Sequence, residues 1–223
     1  MAQHADPAGR RAGLIQQRSG ALVFSIAGTA WGIYGGYSLR HAAGLWALGA
    51  MLVMAAGVFA AWSSQRARLA RLEPVEPDAA ARERDARAAR WFNLVNVVQG
   101  VSIFMAVQVC ANLHASEFFP VAVAVIVGLH FIAIAPVFRS RFHAVLGACM
   151  CLVAALVVLA APKFLDAAGP DGQRTFAWGC LLGLGNAFLL WSAAGWRLRG
   201  LRAGLDAEER SGGDASPGRA AIS

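Results

Sequence analysis

The feature that most constrains this chain is a series of six long apolar runs, at 20–38, 43–63, 91–112, 118–138, 142–161 and 176–196. Charged or turn-forming residues separate them. A helix needs about 20 predominantly apolar residues to cross the roughly 30 Å of bilayer hydrocarbon, and each run is close to that length. Inside lipid every backbone N–H and C=O must be paired within the protein, so only helices or a closed barrel can span. Barrel strands alternate polar and apolar residues; none of these runs does. The expected fold class is therefore all-α, an integral membrane bundle of six transmembrane helices. Composition agrees: 57% of the 223 residues are hydrophobic and 15% are charged, against about 25% charged in soluble domains. A cytosolic enzyme, a disordered chain and a disulfide-stapled secreted module are excluded.

The first run follows Arg10, Arg11 and Arg18, the basic flank of a signal peptide. It also contains Trp31, Tyr34 and Tyr37, lacks a small-residue cleavage site and leads directly into the second run, so it reads as a retained helix. If all six runs cross, 17 of the 20 Lys and Arg residues fall on one side and three (Arg40, Lys163, Arg174) on the other. The positive-inside rule then puts both termini in the cytoplasm. Trp46, Trp62, Trp91, Trp178 and Trp196 stand at run ends, where an aromatic belt belongs.

This reading divides the chain into a cytoplasmic tail at 1–19, a membrane domain at 20–196 and a largely disordered cytoplasmic tail at 197–223. The first dozen residues also read as unstructured. Between the second and third runs, 64–90 carries seven arginines. Gln65 to Leu72 continues the helical pattern, Pro74 and Pro77 end it, and Asp78 caps a new helix running into Trp91. Glu83 and Arg87 sit at i,i+4 on that helix. The expectation is a cytoplasmic helical hairpin, either a docking surface or a solvated, topology-setting loop. The net charge of +7 gathers at the ends of apolar runs, so the partners it fits are the lipid bilayer and anionic headgroups at its cytoplasmic face, not nucleic acid. Lys163 is the only lysine among abundant Arg, Ala and Gly, the usage of a GC-rich bacterial genome, which implies the bacterial inner (plasma) membrane.

Chemistry must come from few residues. No Asp or Glu lies within a run, which argues against a sodium-coupled carrier, since intramembrane carboxylates are the usual cation handles. The third run carries Asn93, Asn96, Gln99, Ser102, Gln108 and Asn112, too many for a helix facing only lipid, and the fourth carries His130. A tight turn at His114 to Glu117 makes these two runs an antiparallel hairpin. Counting ~1.5 Å per residue from the cytoplasmic ends puts Asn96 ~7–8 Å deep, Gln99 ~12 Å and His130 ~10–12 Å, with Asn186 near mid-membrane. Asn96, Gln99, His130 and Asn186 thus form a candidate polar intramembrane site, either a small-solute or proton-relay station or hydrogen-bonding glue between helices.

Glycine supplies a second pattern. Gly28, Gly32 and Gly36 repeat at i,i+4,i+8, and Gly179 with Gly183 repeats the spacing. Such ridges let helices approach closely, within the bundle or as a homodimer seam. Metal chemistry has thin support. Cys149 and Cys151 are two apart and point to opposite sides of a helix. His114 and Glu117 are two ligands in a solvated turn, and His143 reads as an interfacial anchor. No nucleophile elbow, phosphate-binding loop, paired carboxylates or HExxH appears, so the expectation is no enzyme, no metal and no cofactor.

The fourth-run string Gly128-Leu129-His130-Phe131, followed by Ala133-Ile134-Ala135, resembles a motif of small multi-pass bacterial membrane proteins with no assigned function. The resemblance covers the third to fifth runs. It implies an inner-membrane location and draws attention to His130, and it carries no activity. The functional expectation is a small-solute transporter or channel-like protein with its polar site around His130. The alternative is a non-transporting scaffold that associates through the glycine ridges and the hairpin.

Overall fold

A computed structural model describes residues 7–39, 41–71, 79–138, 140–165 and 174–214 of the chain. Among these, the long helices are α1 (Pro7–Leu39), α2 (His41–Ala70), α3 (Ala79–Asn112), α4 (Phe119–Ile134), α5 (Arg141–Ala160) and α6 (Ala177–Asp214). A single 3-10 turn at Ser116–Phe118 leads into α4. Two-residue strands Phe164–Leu165 and Thr175–Phe176 pair antiparallel, with Phe164 opposite Phe176.

Five helices are long and apolar enough to cross a membrane: Gly44–Ala70, Arg82–Asn112, Ser116–Ile134, Arg141–Ala160 and Ala177–Arg210. This differs from six runs because α1 is diluted by Ser25, Gly28, Thr29, Gly32, Gly35, Gly36 and Ser38. Yet α1 is the most extensively packed partner of α6, along nearly its full length. Leu14 meets Gly204, Gly28 meets Trp191, Gly35 meets Gly183 and Ser38 meets Gly179, an antiparallel register. The apolar half of α1 therefore lies at the same height as the apolar half of α6.

Glycine makes this pairing close. A Cβ at Gly35 would stand 2.7 Å from the Leu184 backbone nitrogen and 3.0 Å from the Gly183 carbonyl carbon; the two backbones touch where side chains would hold them apart. The five glycines of the ridges do not share one face. Gly28, Gly179 and Gly183 pack between α1 and α6, whereas Gly32 meets Met51 and Gly36 meets Leu48 of α2. All five thus have neighbours within the chain. A second close crossing joins α4 and α5, where a Cβ at Gly128 would lie 2.8 Å from the Gly147 carbonyl oxygen.

Helix α6 is the hub, with two thirds of its apolar window buried, while the windows of α2 and α3 are 6% buried. The two helices with the barest apolar flanks, Leu52 and Val53 on one and Val97, Val101 and Phe104 on the other, thus turn them away from protein. A solvent that tolerates such surface is hydrocarbon. The main core joins Phe24, Phe131, Leu146, Met150 and Leu190 across four helices.

Several boundaries depart from the expectation. Helix α4 stops at Ile134 because Pro136 lacks the N–H that would bond the Ile132 carbonyl, which accepts from Ala135 instead at 3.2 Å. Helix α1 begins at Pro7, a residue whose fixed φ suits a first turn, so the first dozen residues are not all unstructured. At the other end α6 runs on to Asp214. Leu14, Leu69, Leu201 and Leu205 form a small core there, beyond the apolar runs, and it orders what composition alone reads as tails. Arg68 clamps the same end, donating to Asp206 at 2.6 Å and to both Glu209 oxygens at 2.8 and 2.9 Å. Of the expected hairpin, α2 runs to Ala70 and α3 starts at Ala79; Leu72, Pro74, Pro77 and Asp78 lie outside the described residues.

Two outcomes follow for stability. Gly183→Val forces apart backbones that already touch and should lower the thermal midpoint in detergent by the equivalent of about 1–3 kcal/mol or more. Gly57→Val, where a Cβ meets nothing within 4 Å, should cost far less, and equal losses would disprove the close crossing. The Arg68 clamp, outside the apolar runs, generates the second. Its hydrogen bonds hold the Asp206 and Glu209 carboxyls below the usual carboxylate range. Their contribution is present above the unfolded values of about 4 and disappears as pH falls through the depressed folded ones. The melting difference between the native chain and Arg68→Met should accordingly be larger at pH 7 than at pH 3; a gap that widened in acid would contradict it.

Candidate functional site

Helices α1 and α3 both flank α4, and side chains carry the contact from α4 to α1: Phe24 and Phe131 rings lie 5.6 Å apart. The space between α1 and α3 is a cavity of about 570 Å³, within the ~300–1,000 Å³ typical of small-molecule sites. Asn96, Gln99 and His130 all line it. The structure therefore brings three of the four expected site residues to one space. Asn186 is not among the lining residues; it is wholly buried on α6, between the fully buried Leu182 and Leu190 along the helix.

The polar groups have unequal duties. Asn96 donates to the Phe92 carbonyl one turn back, at 2.9 Å, and its residue is exposed, so its amide oxygen remains available. His130 stands against Val95 of α3, and its Nδ1 is buried without a partner. The ring thus lies at the seam of α3 and α4. Trp91 fastens that seam, donating to the Ala133 carbonyl at 3.2 Å.

Two lining residues were not anticipated as part of the site. His143, expected as an interfacial anchor, is instead 5% exposed and packs its ring 5.1 Å from Phe138 and 5.9 Å from Phe24. Arg197, counted only as a topology marker, sits half-buried at the cavity wall with its guanidinium 5.4 Å from the Phe142 ring centre. Its Nη2 lies 3.4 Å from His143 Nε2. Arginine can only donate, so that nitrogen accepts and the imidazole proton sits on Nδ1, which has no partner. Among the described residues Arg197 meets no carboxylate, and none lines the cavity. The signal in the sequence was Arg197 directly after Trp196 at an apolar run's end, together with the aromatic flanks of His143.

A smaller cavity of about 250 Å³ lies further along α1, lined by Trp31, Tyr34, Phe119, Pro120 and Val123. Ala30 and Trp31 line both cavities. Together the two follow one stripe of α1 from Gln16 to Tyr34, ~27 Å of helix, close to the thickness of the hydrocarbon.

The weaker motifs have structural occupations. Glu117 accepts from Lys163 at 3.0 Å, Met150 is buried in the core between Cys149 and Cys151, and the described residues contain no cluster of three metal-ligating side chains. Gln108 and Asn112 are exposed on α3.

Asn186 supplies a check on this division of roles. Neither of its amide atoms has a partner, and a buried unpaired polar group costs about 1–3 kcal/mol. Asn186→Leu, similar in volume, should raise the melting temperature in detergent and leave ligand binding in the cavity unaltered. A lower melting temperature would mean that the amide is bonded. No family model, curated protein or solved structure matches the chain.

Proposed function

We propose that this chain is a six-span protein of a bacterial inner membrane, with both termini cytoplasmic, that binds a small amphiphile between α1, α3 and α4 and passes it across the bilayer. One observation carries the reading: two cavities on opposite halves of one crevice share Ala30 and Trp31 as their common wall. The register of α1 on α6 supports the sixth span, because any slab of lipid that contains the apolar half of α6 contains that of α1. Orientation rests on the arginines. Arg18, Arg68, Arg141, Arg197 and Arg202 gather at the bundle end holding the start of α1 and the end of α6, while Lys163 and Arg174 stand at the other.

Lining chemistry favours an amphiphile over a hydrated ion. Phe24, Ala27, Trp31, Val127 and Phe131 make an apolar wall, broken by neutral hydrogen-bonding groups and one guanidinium. The scaffold alternative loses its glycine argument, since all five ridge glycines are engaged within the chain. The large indole of Trp31, between the two spaces, acts as the constriction.

The test uses proteoliposomes with three fluorescent short-chain lipids that differ only in headgroup charge: anionic, zwitterionic and cationic. A membrane-impermeant bleach reports how fast the protected leaflet empties. Protein-bearing vesicles should exchange at least one probe faster than empty ones. His130→Phe should slow that exchange, and Trp31→Ala, which joins the cavities, should speed it. Exchange of all three probes at the rate of empty vesicles would refute transport.

A further inference from the structure

The large cavity is graded along its length, and the grading matches one class of molecule. At the arginine-rich end stands Arg197, held over Phe24 and Phe142 and beside Gly20, where a Cβ would approach its Nε at 3.9 Å. Next to it is the buried His143, whose Nε2 faces the guanidinium. A turn or two deeper are Asn96 and Gln99, and beyond them the wall is Ala27, Ala30 and Trp31. The order is cation, neutral donors, hydrocarbon. Among the described residues the guanidinium has no carboxylate partner, and it attracts an oxyanion, which it can grip through two parallel N–H groups. Amides just beneath it suit ester carbonyls, and the apolar wall suits an acyl chain.

The open side of the cavity favours lipid as the source of that oxyanion. Helices α1 and α3 are not packed on each other, so the crevice between them faces the surroundings of the bundle along its height. In a bilayer, that neighbour is lipid. We infer that the cavity between α1 and α3 is a binding site for one anionic phospholipid of the arginine-side leaflet, its phosphate at Arg197 and an acyl chain lying toward Trp31. The inference rests on the proposed membrane placement and names the substrate class of the proposed transport, but its test reads binding and not flux.

Full-length protein is reconstituted in lipid nanodiscs doped with phosphatidylglycerol or phosphatidylcholine carrying brominated acyl chains, at equal mole fraction. The Trp31 contribution to fluorescence quenching is taken as the difference between the native chain and Trp31→Phe. Brominated phosphatidylglycerol should be preferred by about five-fold, the effect of one arginine near a membrane surface. Arg197→Gln should abolish the preference, and Arg199→Gln, an exposed neighbour that does not line the cavity, should keep it. Should Arg197→Gln not fold, Ala27→Leu tests the same space by filling it, and must lower quenching by the anionic lipid. Equal quenching by the two lipids in the native chain would overturn the site, as would equal loss in the two arginine variants, which would mark general surface attraction. Inorganic phosphate that displaced the brominated lipid at millimolar level would also overturn it, in favour of a free-anion site. A headgroup preference without lipid exchange would leave the site standing and remove transport; exchange without headgroup preference would do the reverse.

Discussion

The close antiparallel contact of α1 with α6 is the constraint on which the other helices depend. In lipid there is little hydrophobic gain in joining two helices, so association rests on packing and on polar groups that find partners. Gly35 against Gly183 brings the backbones together. The hydroxyls that dilute the apolar run of α1 do not oppose this, because they bond within their own helix: Ser25 donates to the Ala21 carbonyl at 2.6 Å, Thr29 to Ser25 at 2.8 Å and Ser38 to Tyr34 at 2.9 Å. Small, internally satisfied residues trade hydropathy for proximity. The sequence property that removes α1 from the helices apolar enough to span by themselves is the same one that fits it against the hub.

That contact also decides where the cavity is. A helix has a limited circumference, and α1 gives one face to α6 through Gly28 and Gly35 and another to α2 through Gly32 and Gly36. What remains includes the stripe Gln16, Gly20, Val23, Ala27, Ala30 and Tyr34, spaced by four and three residues, and these line the two cavities. The site is thus a side of α1 that neither contact claims, with α4 opposite it and α3 beyond.

Much of this was legible in the chain. Run lengths mark the helices and the arginine asymmetry marks their common end, because both are properties of composition that survive small errors of position. Depth along a helix is also countable, which is why Asn96, Gln99 and His130 arrive at one height and one space. Azimuth is harder. Residues four apart advance about 40° around a helix, so a ridge at 28, 32 and 36 drifts by about 80° and faces two neighbours, whereas residues seven apart drift only about 20°. Gly35 therefore aligns with Gly28 and was the partner to look for. Asn186 lies on the helix with the most buried apolar window, where depth says nothing of which neighbour it meets. The early stop of α4 was written in Pro136, a local signal that the length of the apolar run concealed.

The His130 ring stands against Val95 of α3 and lines the cavity, so it belongs both to the seam of α3 and α4 and to the space beside it. Helix α3 has few other attachments: Val95 is its one residue in the main core, and Trp91 holds its start to Ala133. Few buried apolar contacts mark the low end of the local stability scale, from which moving elements are drawn. The wall of the cavity that is packed least is therefore met by a residue of the cavity itself, so the space and its outer wall share one side chain.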